Sequence, residues 1–131
     1  ESIRHHRLTP GEVTGAPTLE AVLPDFLRWL GPRRLLGYHL AFDLAMLNPA
    51  VRALTGFPLP NPRQELAQAW LERQRLAQPQ GDIDLSLDTL AKKLELPVLG
   101  RHTALGDATL VGLAWLALSK SFALIRSKAA S

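Results

Sequence analysis

Two short stretches of this chain carry residue types that do chemistry. In His102-Thr103-Ala104-Leu105-Gly106-Asp107 an imidazole precedes a carboxylate by five positions. From Ala104 onward Ala108, Val111, Trp115, Leu118 and Phe122 recur at steps of three and four, and Asp107 falls on that same helical face. No Lys or Arg occupies the stripe. An unpaired buried carboxylate costs several kcal/mol or more, so Asp107 must be protonated, edge-exposed, hydrogen-bonded or bound to a cation. His102 stands just ahead of the helix, where it overhangs the acid.

A second acid repeats the arrangement. The run Leu35-Leu36-Gly37-Tyr38 reads as a buried strand that ends in His39, and Asp43 opens the next helical pattern with Leu47, Val51 and Leu54 on its face. Both acids therefore start helices and both are expected on the core side. If the two helix starts meet at one end of a sheet, the carboxylates repel by about 4 kcal/mol at ~4 Å and an effective dielectric near 20. A divalent cation converts that repulsion into binding. Mg²⁺ suits the site, because it prefers hard oxygens and is held by one or two carboxylates plus water and substrate phosphate.

The elements that must position these residues follow from pattern and punctuation. After a polar opening that includes Thr9-Pro10-Gly11, Leu19, Val22, Leu23, Phe26, Leu27 and Leu30 form a helical stripe capped by Thr18 and stopped at Gly31-Pro32. A strand over Arg34 to Tyr38 follows, then the helix headed by Asp43, which Pro49 is expected to kink or restart with Asn48 as cap. The prolines at 58, 60 and 62 require an extended connection. Arg63 to Ala67 reads as a second short strand, and Leu66, Trp70 and Leu71 lead into a helix that fades near Gln78-Pro79-Gln80-Gly81. A helix from about Leu87 to Leu94, capped by Ser86, precedes the His102 stretch, and the residues from Arg126 to Ser131 read as a fraying tail. Strand, helix, strand and further helices make an α/β fold. Two short strands make a poor sheet, so an exposed strand edge and uncovered apolar helix faces are expected to favour self-association or a partner.

Composition bounds the function. The chain has 131 residues, of which 47% are hydrophobic and 21% charged, which describes one folded unit and excludes a disordered chain. The formal charge of +3 and a sequence pI near 9.8 are compatible with a polyanionic partner and do not by themselves identify one. With no cysteine, disulfides, thiolate metal sites and cysteine nucleophiles are excluded. The longest apolar run, near Ala108 to Leu118, is shorter than the roughly 20 residues a membrane span needs. The N-terminus, with Arg4, His5, His6 and Arg7, has no secretory pattern, so a cytoplasmic location is expected.

Phe42-Asp43 after a strand, followed by His-x-Ala-x-x-Asp at 102–107 before a long helix, resembles the second and third motifs of the DEDDh (DnaQ-like) 3'-5' exonucleases. That group has a ribonuclease H-like fold and includes proofreading components of bacterial replication. The resemblance covers most of the chain from Leu8-Thr9-Pro10-Gly11 through the last helix, and its third motif is the more specific of the two. It implies that Asp43 and Asp107 are two of four acids holding two Mg²⁺ or Mn²⁺ ions, and that His102 is the general base of phosphodiester hydrolysis. It places His39 and Phe42 at the substrate, the 3' end of single-stranded DNA or RNA, and it makes a polymerase-type partner an expectation.

Two departures shape that reading. Tyr38-His39 stands where the family usually has His-Asn, and the first motif, an Asp-x-Glu on an opening strand, has no counterpart here; Asp82-Ile83-Asp84 has similar spacing in the wrong topological place. Residues 1–125 are accordingly read as a partial exonuclease domain lacking its first strands, with poor metal affinity and weak catalysis. The alternative is an exonuclease-fold module that binds nucleic acid or serves as a scaffold without cutting. Judged singly, His39 is a structural residue at a strand end, His5-His6 is solvent-facing, Trp29, Trp70 and Trp115 are core residues, and Arg33-Arg34 and Arg73 to Arg75 are solvated surface able to touch phosphate. Only the joint order of the motifs favours an enzyme.

Overall fold

Helices dominate because, among the described residues, two three-residue stretches alone pair as strands. A computed structural model describes residues 8–129, with side chains described from 8 to 120. The element order is α1 (Pro10–Thr14), α2 (Leu19–Leu30), β1 (Leu35–Gly37), α3 (Leu40–Thr55), β2 (Arg63–Glu65), α4 (Leu66–Ala77), α5 (Leu87–Lys93) and α6 (Ala104–Ala129). β1 and β2 form a two-stranded parallel sheet with α3 as the crossover, so the mixed α/β, helix-dominated architecture agrees with the sequence reading. The chain divides into two units, Glu1–Leu35 with Leu40–Gln64, and Leu36–His39 with Glu65–Ser131.

The first unit is built on α2 and α3. Thr9 and Glu12 cap α1 reciprocally, the Thr9 N–H donating to Glu12 Oε2 at 2.7 Å and the Glu12 N–H to Thr9 Oγ1 at 3.4 Å. Thr18 caps α2 as expected, its Oγ1 accepting from the Ala21 N–H at 3.2 Å. Leu23, Leu30, Leu44, Val51 and Leu59 form the core, with Phe26, Leu27, Leu35, Leu40, Leu47 and Ala50 against it. Leu19 and Val22, the outer edge of the expected stripe, are exposed. Trp29 is 68% exposed, which corrects its reading as a core residue: Leu23, Leu27 and Leu30 suffice to seat α2. Its ring lies 6.0 Å from Phe26, with the Arg33 guanidinium 5.9 Å above it.

Two expectations about α3 are corrected. Pro49 lies inside an unbroken helix, and Asn48 is no cap; its Oδ1 accepts the Leu59 N–H at 3.0 Å and tethers the returning proline-rich segment. The buried Asn61 holds the same segment, donating to the carbonyls of Gly31 at 2.8 Å and Arg33 at 2.7 Å. Because α3 starts at Leu40 and buries Leu44 and Val51, Asp43 falls beside the apolar face and is exposed, as is Leu54.

In the second unit α4, α5 and α6 enclose a core of Leu66, Trp70, Leu87, Leu90, Ala91, Leu110, Val111, Ala114 and Leu118. Ser86 caps α5 through the Thr89 N–H at 3.2 Å, as expected. α5 ends in a Schellman turn with Glu95 at φ 52°, the Leu96 N–H reaching the Ala91 carbonyl at 2.9 Å. The buried stripe of α6 is Leu110, Val111, Ala114 and Leu118, with Ala104 and Ala108 exposed and Trp115 half-buried. Asp107 does lie on this face, one turn ahead of Leu110 and Val111. α6 continues to Ala129 through most of the segment read as a tail; the Phe122 side chain, and His5 and His6, lie outside the described residues.

Candidate functional site

The turn that brings His102 to α6 is closed by hydrogen bonds on both sides of Thr103. The Thr103 N–H donates to the Gly100 carbonyl at 3.1 Å and its Oγ1–H donates to the same oxygen at 2.5 Å, while Oγ1 accepts from the Gly106 N–H at 3.1 Å. Thr103 thereby caps α6. Gly100 and His102 both take left-handed backbone, at φ 63° and 66°. A loop this tight leaves no room for a side chain at Gly106, where a methyl group would strike the Gly100 carbonyl.

The site acid is held from this loop. Arg101, its side chain only 19% exposed, donates through Nη1 to Asp107 Oδ1 at 2.5 Å and through Nε to Asp88 Oδ1 at 2.7 Å. The His102 backbone N–H donates to Asp107 Oδ1 at 3.2 Å. Asp107 is 35% exposed and Asp88 66% exposed, so the guanidinium is the more buried partner of both carboxylates. Its hydrogen bond to Asp88 is the largest of the effects that raise the Arg101 pKa, and the same bond holds the Asp88 carboxyl below its ordinary value. The stripe itself holds no Lys or Arg, and the charge that neutralises Asp107 comes from the preceding loop, which has no helical periodicity to reveal it.

His39 occupies a similar backbone state, at φ 57°. Its N–H donates to Glu65 Oε1 at 2.9 Å, and the same oxygen accepts the Ala67 N–H at 3.1 Å to cap α4. The Tyr38 and His39 rings meet edge to face at 4.7 Å. The Tyr38 hydroxyl is buried without a hydrogen-bond partner among the described residues, and burial pushes its pKa up to about 12, helped by the negative charges of Asp84 and Glu65.

Of the residues singled out in the sequence, His102 and Asp107 are brought onto one turn of the second unit, and His39 lies in that unit too. Asp43 and Phe42 belong to the first unit, where both are exposed, Phe42 at 72%. Among the described residues no group of three or more His, Asp and Glu side chains stands close enough to cage a metal. The second unit offers one carboxylate here, Asp107, and Arg101 already neutralises it, so these residues by themselves do not fit a divalent cation. The Arg101 guanidinium and the His102 N–H both meet the Asp107 carboxylate at Oδ1. Sequence reasoning missed Arg101, Asp88 and Glu65. Only Glu65 left a signal, as a side-chain acceptor directly ahead of the apolar pattern at Leu66, Ala67 and Trp70.

No helix among the described residues is long and apolar enough to cross a membrane. The family model described as "Exonuclease" matches residues 1–112. DNA polymerase III subunit epsilon of Aquifex aeolicus (strain VF5) is 31% identical over 103 residues, covering 79% of this chain and 48% of that protein. A DNA polymerase III PolC-type of Oceanobacillus iheyensis is 30% identical over 112 residues, covering 82% of this chain and 7% of that protein. The chain spans about half the length of the first relative and a small part of the second. On these matches and on its motif order, the chain belongs to the DnaQ-like exonuclease family.

Proposed function

We infer that this chain is the larger part of a 3'-5' exonuclease domain that hydrolyses the terminal phosphodiester bond of single-stranded DNA or RNA. The observation that carries this reading is the shared anchorage of His102 and Asp107, the backbone of one bonded to the carboxylate of the other at the head of α6. By the family resemblance, Asp107 and Asp43 would be two of the acids that hold the cations. Two divalent cations, with further acids completing their site, would supply the attacking hydroxide and stabilisation of the leaving oxygen. His102, exposed on a fixed turn, accepts the proton of the attacking water. His39 and the exposed ring of Phe42 are the substrate contacts.

Both relatives bear DNA polymerase III names, which supports DNA as the polymer and a polymerase-type partner for this chain. The apolar side chains left exposed on the first unit, including Val22, Trp29, Phe42 and Met46, favour such a partner or self-association. A preparation extended upstream to the length of the epsilon relative is expected to shorten a 5'-labelled single-stranded oligonucleotide in Mg²⁺ or Mn²⁺, and Asp107→Ala to stop it. Full activity in that variant refutes the reading.

The second reading is a non-cutting nucleic-acid-binding module. The guanidinium already seated on Asp107 favours it. Oligonucleotide binding by the extended preparation, without shortening in either metal, would establish it.

A further inference from the structure

Trp29, in the last turn of α2, leaves two-thirds of its surface in water although Leu23, Leu27 and Leu30 already seat that helix. Its surroundings set it apart from the other exposed apolar residues of the first unit. Phe26 stands beside it with the ring planes 32° apart, and among the described residues it is the one exposed aromatic ring with a cation over it, the Arg33 guanidinium at 5.9 Å.

That cation is fixed at both ends. Arg33 Nη1 donates to the carbonyls of Trp29 and, at 3.2 Å, of Leu30, which closes the carbonyl end of α2. Its backbone is held by the buried Asn61, which donates to the Arg33 carbonyl at 2.7 Å. Arg34 and Arg63 extend the charge where α2 gives way to the strands. Both are exposed; Arg34 Nη1 donates to the neutral amide oxygen of Gln64 at 3.3 Å, and the Leu35 N–H donates to the Pro62 carbonyl at 2.8 Å between them. None of these three arginines has a carboxylate partner among the described residues, and Asp25 of α2 is paired with Arg28 at 3.0 Å.

An apolar protein surface would cover the ring and leave three guanidiniums uncompensated. A single strand of nucleic acid answers both features, because a free base stacks on an aromatic face while its phosphates meet the arginines. A duplex keeps its bases stacked on one another and offers the ring none. We propose that Trp29 is a base-stacking contact for single-stranded nucleic acid, with Arg33, Arg34 and Arg63 on the neighbouring phosphates. It rests on the nuclease reading for the polymer alone and uses none of the residues assigned to the reaction.

The test is binding of this chain to 5'-fluorescein-labelled oligothymidylate, read by fluorescence anisotropy over a series of salt concentrations without divalent metal, beside thermal unfolding of each variant. Trp29→Ala is expected to weaken binding about tenfold with its salt dependence unchanged, and Trp29→Phe by about threefold or less, since a smaller ring still stacks. Arg34→Ala and Arg63→Ala are each expected to lower the slope of log affinity against log salt by about 0.7, the share of one phosphate contact on a single strand. Phe57→Ala is the control, an exposed ring of the same unit with no cation over it among the described residues, and it should bind as wild type does.

Wild-type affinity in Trp29→Ala overturns the proposal, as do an equal loss in Phe57→Ala and a wild-type chain that fails to bind at low salt. If Trp29→Ala binds the oligonucleotide normally and instead turns a dimer into a monomer in sedimentation velocity, the ring serves a second copy and the proposal falls. The nuclease reading is judged separately, by oligonucleotide shortening in the extended preparation.

Discussion

Gly106 lies against the carbonyl of Gly100 so closely that a methyl group on its Cα would collide with that oxygen and come within 2.6 Å of the Leu99 oxygen. The first turn of α6 can therefore dock on the preceding loop only because position 106 has no side chain, and this docking sets the distance from His102 to Asp107. Gly106→Ala is expected to destabilise the second unit by about 3 kcal/mol, since the clashing atoms are backbone. Gly112→Ala, in the same helix with no neighbour within 4 Å of the added carbon, should instead stabilise by about 0.5 kcal/mol or more. Urea unfolding of the two variants checks the contrast; similar effects would remove the role assigned to the close approach.

His102 and His39 hold left-handed backbone that costs a non-glycine residue of order 1 kcal/mol. Glu95 shares that backbone for a reason tied to helix termination, whereas the two histidines sit in the motifs. His102→Gly is expected to change stability by no more than about 1 kcal/mol, the relieved backbone cost being offset by the lost side-chain interaction and the freer unfolded chain, and to abolish oligonucleotide shortening in the extended preparation. Denaturant unfolding and a gel assay on one protein sample read both. A loss of stability well beyond that would mean that the imidazole is a packing residue.

Acid should destabilise the second unit through two carboxyls. The Thr89 hydroxyl and Ser86 N–H hold Asp84 below its ordinary value of 3.8, and the Arg101 guanidinium does the same for Asp88. A depressed carboxyl contributes stability that is fully present above its unfolded pKa and is lost as pH falls through the lower folded value. Unfolding free energy is expected to be level above about pH 5 and to decline below the ordinary carboxyl range. An Asp84→Asn, Asp88→Asn double variant should show a shallower decline in pH-dependent unfolding followed by circular dichroism.

Tyr38 is the single tyrosine of the chain, so phenolate absorbance reports on it directly. Its folded pKa of about 12 lies above the ordinary 10, so the stability it contributes is present below pH 10 and disappears as pH rises toward 12. Titration should show a midpoint near 12, or an earlier rise coincident with alkaline unfolding. Tyr38→Phe removes a buried hydroxyl with no partner among the described residues, and stability should rise by about 1 kcal/mol or less. A loss of several kcal/mol would reveal a hydrogen bond to an ordered water.

Much of the architecture was written in local pattern. Thr18 and Ser86 cap the helices their spacing announced, and Leu23, Leu30, Leu87 and Leu90 are buried where periodicity put them. These are short-range consequences of backbone hydrogen bonding and a helical repeat, which neighbouring residues specify. The same logic misplaced Asp43, because the buried stripe runs through Leu40, Leu44, Leu47 and Val51, which leaves the residue before Leu44 turned to solvent.

By itself the sequence determined the motif order and hence the family: Phe42-Asp43 behind a strand, and His102 and Asp107 bracketing the start of the last helix. Only the tertiary structure decided who holds Asp107. Arg101 reaches it from an irregular loop and is shared with Asp88 across 13 positions. Such a partnership depends on where two helices and the loop between them converge in space, and the periodicity within a helix says nothing of how it packs against its neighbour.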